Sequence, residues 1–124
     1  MVALGIGLAA LAGFVLGGIY YAVTPAAPAV PGHAAPSRPA PAQVFVELVR
    51  SAALAGVIAV LMIAAGFQGP VAGALLGAEL WVLPIVLLAG SVFHEGTTVR
   101  AALLHAGDWL IKLVAIGVIV GFFV

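Results

Sequence analysis

Four long apolar runs, separated by short breaks, set the plan of this chain. They cover residues 2–23, 43–66, 70–93 and 98–124. At 1.5 Å per residue each is long enough to cross a hydrocarbon core of ~30 Å, so each predicts a transmembrane helix. The breaks differ in kind. Thr24 to Ala42 holds six prolines among alanines, with only His33, Ser37 and Arg38 as strongly polar side chains, and predicts a flexible extramembrane linker. Phe67-Gln68-Gly69-Pro70 predicts a tight turn, with Pro70 at the first helical position. His94-Glu95-Gly96-Thr97-Thr98 offers a glycine to stop one helix and a threonine to cap the next. The expected fold is an all-α, antiparallel four-helix transmembrane bundle, with residues 1–124 as one domain.

Within the runs, small residues recur at helical spacing. Gly5, Ala9, Gly13 and Gly17 form one ladder, Gly69, Gly73 and Gly77 a second, and Gly117 and Gly121 a third. Such ladders let helix backbones approach closely, and we expect them to be the packing faces. Tyr20 and Tyr21 mark a membrane interface, where a phenol keeps its hydroxyl wet. Pro84 removes a backbone donor and frees the carbonyl of Leu80, which predicts a kink and a polar nook beside Glu79. The first run is expected to be a span and not a cleaved signal peptide. Ala27-Pro28-Ala29 loosely resembles a cleavage site, but a basic start is missing and the run is too long for a signal core.

Composition agrees with the pattern. The chain is 65% hydrophobic and 6% charged, against about 25% charged residues in soluble domains. A formal net charge of zero gives no pull toward nucleic acid, and the absence of cysteine excludes disulfides and thiolate chemistry. With four spans, Arg38, Arg50 and Arg100 fall on the side of the two longer connections, so the positive-inside rule puts both termini outside. Glu47, Arg50, Glu95 and Arg100 are expected as charges at the cytoplasmic interface, Glu47 and Arg50 as an anchoring pair at three-residue spacing.

The charges that remain lie deep. His105, Asp108 and Lys112 share one stripe of the last span. Counting from the helix ends, Glu79 lies ~14 Å and Lys112 ~18 Å from the same surface, so the two are expected to meet near mid-membrane. Glu79 and Asp108 would set two negative charges against one lysine. One acid would then be protonated, or His105 would carry a proton, or a cation would bind. Either a proton-responsive site or a quiet structural lock with one neutral acid fits that count. Metal-ligand spacings are absent, as are a nucleophile–base pair and a phosphate-binding loop, so no metal, cofactor or enzymatic activity is expected.

Several of these segments together resemble a bacterial family of small four-helix membrane proteins catalogued as domain of unknown function 1761. They are Gly17-Gly18-Ile19-Tyr20-Tyr21 at the end of the first span, Val92-Phe93-His94-Glu95, Ala102-Leu103-Leu104-His105-Ala106-Gly107-Asp108-Trp109-Leu110, and Gly117-Val118-Ile119. The alanine and proline linker departs from the family pattern, as do Tyr20-Tyr21, where tryptophan and tyrosine are commoner, and Asp108, where a tyrosine is usual. The resemblance implies the four-span topology and no catalytic residue. Function is accordingly expected to be that of a non-enzymatic membrane protein, embedded in the lipid bilayer as a homo-oligomer or accessory subunit joined through glycine faces. The alternative is a proton- or cation-coupled carrier of a small solute.

Overall fold

A computed structural model of the chain describes residues 1–24 and 39–124. Its helices are α1 (Val2–Val23), α2 (Pro41–Ala65), α3 (Gly69–Leu80), α4 (Val82–His94) and α5 (Val99–Gly121). Among the described residues, four helical segments are long and apolar enough to cross a membrane, with α3 and α4 together forming the third. The proline-rich linker falls outside the described residues except at its ends. There the expectation is corrected, since Pro41 and Ala42 already belong to α2. Proline fits a first helical position, where its missing N–H costs nothing, and the Gln43 side chain accepts a hydrogen bond from the Ala40 N–H at 2.9 Å.

Local chemistry ends the other helices. Gly66 closes α2 in the left-handed region, at φ 69°, a conformation that glycine adopts without steric cost. Of the two candidate threonines, Thr98 caps α5, its hydroxyl accepting from the Ala101 N–H at 3.2 Å. The expected break in the third span lies at Trp81, between α3 and α4. Pro84 cannot donate to the Leu80 carbonyl, and the Trp81 N–H tightens to Ala78, at 3.3 Å. The indole of Trp81 then donates to the Ala106 carbonyl at 2.7 Å, tying the kink to α5.

Helix α5 is the axis of the molecule and touches all four other helices. Its seam with α3 is built from glycine. Gly73 lies on Gly117, Gly77 on the Leu113 carbonyl and Gly121 on Gly69, and a Cβ at any of the three glycines Gly73, Gly77 or Gly117 would run into backbone of the facing helix. Rising numbers on one side meet falling numbers on the other, so α3 and α5 run in opposite senses. On the next face, Gly13 of α1 meets Ile116 and Ser51, while Gly5 meets the Phe123 ring. Ala9, Ala55, Ile58, Met62, Leu113, Ile116 and Val120 close the core between α1, α2 and α5. By contrast α4 has no buried residue, and Leu83, Val86, Leu87 and Phe93 point outward. The kink leaves this half of the third span leaning away from α2.

Candidate functional site

Lys112 sits midway along α5, where an ammonium group is costly unless paired. Its long stem resolves the problem by running back toward the linker side. The ammonium lies 2.9 Å from Asp108 Oδ2, one turn earlier on α5, and 2.9 Å from Glu47 Oε1 on α2. The path of this stem is set by Gly17 of α1, because a Cβ there would collide with the lysine's Cε and lie 2.7 Å from its Nζ. A residue expected only to pack helices is therefore also what makes room for the charge.

Glu47 bridges two cations. Its second oxygen, Oε2, accepts from Arg50 Nη1 at 2.9 Å, and the Arg50 guanidinium lies 5.5 Å from the centre of the Trp109 ring. Arg50, Glu47, Lys112 and Asp108 thus form a chain of alternating sign. Two acids and two bases give it no net charge. This corrects the expected excess of one negative charge, which came from pairing Lys112 with the wrong partner.

Glu79 is that wrong partner. It is exposed on α3 and makes no hydrogen bond or ion pair among the described residues. Gly73 and Gly77 turn their face to α5, and Glu79, two residues past Gly77, points ~200° around the helix from it. The expected polar nook beside Glu79 is consequently not formed. Depth along α2 alone places Glu47 in the headgroup layer and takes no account of how far a lysine stem reaches.

His105 shares the stripe but not the ion chain. Its Nδ1 lies 2.6 Å from the Tyr21 hydroxyl, and it is exposed. Tyr20 turns the other way and donates to the Leu104 carbonyl at 2.8 Å, an approach that Gly107 permits. Glu95 and Arg100 are exposed near the ends of α4 and α5, without an ion pair among the described residues. No three histidine, aspartate or glutamate side chains come together as a metal site among the described residues.

The ion chain lines a cavity of about 790 Å³ between the linker-side halves of α1, α2 and α5, with Tyr21, Gln43 and His105 also on its walls. Asp108 and Lys112 are 6% and 8% exposed, and Asp108 Oδ1 is buried with no hydrogen-bond partner among the described residues. Deeper, a second and wholly apolar cleft of about 190 Å³ lies between α2, α4 and α5, and Trp109 lines both spaces.

No curated protein and no solved structure matches this chain. A family model described as "Protein of unknown function (DUF1761)" matches residues 4–121, nearly the whole sequence and all four membrane-length helices. The chain therefore belongs to the DUF1761 family, and it is a small multi-pass membrane protein of that family.

Proposed function

We propose that the protein is a non-enzymatic subunit of a larger membrane assembly, joined through the outward face of α3 and α4 to a second copy of itself or to another membrane subunit. Glu79 carries this reading. It lies ~15 Å along its helix from Gly69, with exposed Leu75, Val82 and Leu83 around it. A carboxylate facing lipid at that depth costs about 2.5 to 3.5 kcal/mol on insertion scales, and a partner offering a donor or cation relieves it. The bare face of α4 adds apolar area beside it. Expected first at the glycine faces, the contact is reassigned here because Gly13, Gly17, Gly73, Gly77, Gly117 and Gly121 are occupied within the chain.

The membrane is a bacterial cytoplasmic one in this proposal, with both termini outside, on the strength of the arginines near the two longer connections. Single cysteines at Leu75 or Val86, introduced into a chain that has none, test the docking face. Crosslinking in native membranes should give one discrete larger species. A monomer with no crosslinked partner would defeat the reading.

A second reading, a proton- or cation-coupled carrier of a small solute, is favoured by one observation, the cavity whose lining includes the Asp108–Lys112 pair. Its residues would be Glu47, Asp108 and Lys112. Proteoliposomes should then show pH-dependent flux that is lost in Asp108→Asn, and flux unaffected by that change would end it.

A further inference from the structure

The two cavities are in series. On α2, Glu47 and Arg50 line the polar space while Leu54 and Val57, one and two turns deeper, line the apolar one. On α5 the same order runs from Asp108 to Trp109 and Leu113. On α4 it runs from Leu88 to Pro84 and Leu83. A charged opening therefore continues into an oily slot, and the slot faces the bilayer, since Val57, Leu83 and Leu87 on its walls are exposed.

We propose that this composite space is a binding site for one bilayer phospholipid, its phosphate held at Arg50 and an acyl chain laid between α2 and α4 against Trp109. The charge pattern selects the head group. Glu47 has both oxygens engaged by Lys112 and Arg50, whereas the Arg50 side chain is 55% exposed and, among the described residues, bonds Glu47 through Nη1 alone. Its remaining N–H groups are a fork suited to phosphate oxygens. His105 of α5, paired with Tyr21, and Gln43 of α2 line the same cavity as further polar groups. The four charges of the ion chain cancel, so a phosphodiester with one negative charge meets no excess of acid. The slot is open to lipid along its length, so a chain enters sideways without crossing the polar opening. Neither docking at Glu79 nor solute flux is required by this inference, and either can fail without it.

Trp109 is the natural reporter, because the chain has only two tryptophans and Trp81 can be removed as Trp81→Phe. The detergent-solubilised full chain carrying that change is titrated with phosphatidylglycerol bearing brominated acyl chains, and separately with diacylglycerol bearing the same chains. The expected result is saturable quenching of Trp109, with phosphatidylglycerol bound about tenfold more tightly, the worth of one charge-assisted hydrogen-bonded contact. Arg50→Gln should remove most of that preference and Arg50→Lys only part of it. Val57→Phe, which narrows the slot, should weaken both lipids. Inorganic phosphate at millimolar concentration should not displace the lipid. Unsaturable quenching equal for both lipids and indifferent to Arg50→Gln would overturn the proposal, as would full displacement by inorganic phosphate. Helical circular dichroism of each variant separates lost binding from lost folding. If Arg50→Gln does not fold, the Arg50→Lys and Val57→Phe comparisons decide.

Discussion

The two halves of α5 solve opposite problems. From Leu113 to Gly121 the helix lies on α3 and α1 through glycine and branched aliphatic residues, close enough to α3 for backbone to touch backbone. From Leu104 to Lys112 the same helix carries an ion pair, a histidine and a tryptophan beside an open cavity. Lipid cannot drive helices together by hydrophobic burial, so the first half relies on van der Waals fit. Polar groups cannot stay unpaired at that depth, so the second relies on complementary charge. The contrast sets a close-packed glycine seam beside a chemically equipped half of the same helix.

Breaking the charged half at its centre should have the largest effect. Lys112→Met leaves buried Asp108 without a counter-ion and should cost about 3 to 5 kcal/mol in a detergent unfolding titration. Adding Asp108→Asn should recover part of that loss. The glycine seam should be next. Gly73→Ala puts a methyl into the Gly117 backbone, where no side chain can rotate away, and should cost about 1 to 3 kcal/mol by the same titration. Removing the α5 cap with Thr98→Ala should cost about 1 kcal/mol, seen as a shift in thermal unfolding followed by circular dichroism. At the small end, Gly18→Ala adds a methyl where nothing lies within 4 Å and should change stability by less than about 0.5 kcal/mol. Equal losses at Gly18 and Gly73 would dissolve the distinction between seam and surface.

Much of the fold was legible because hydrophobic length and helix punctuation are local signals. Pro84 announced the break at Trp81, Gly66 and Gly96 sit at positive φ where helices end, and Thr98 announced its cap. The glycine spacing also pointed to close contacts, although which helix faced which depended on tertiary arrangement. The site was only half legible. Asp108 and Lys112 share a helix, so their four-residue spacing was enough to pair them. Their third partner came from another helix, and two quantities governed that choice. Depth favoured Glu79, whereas direction around α3 excluded it and the reach of the lysine stem admitted Glu47. The glycine ladder beside Glu79 held the directional information, since a face committed to α5 cannot also present a carboxylate to it.

That choice between two glutamates is the claim on which both the site and the docking face rest. A double-mutant cycle in detergent unfolding tests it, combining Lys112→Met with Glu47→Gln in one cycle and with Glu79→Gln in the other. Coupling of about 1 kcal/mol or more is expected between Lys112 and Glu47, with coupling near zero between Lys112 and Glu79. Strong coupling to Glu79 and none to Glu47 would contradict the account.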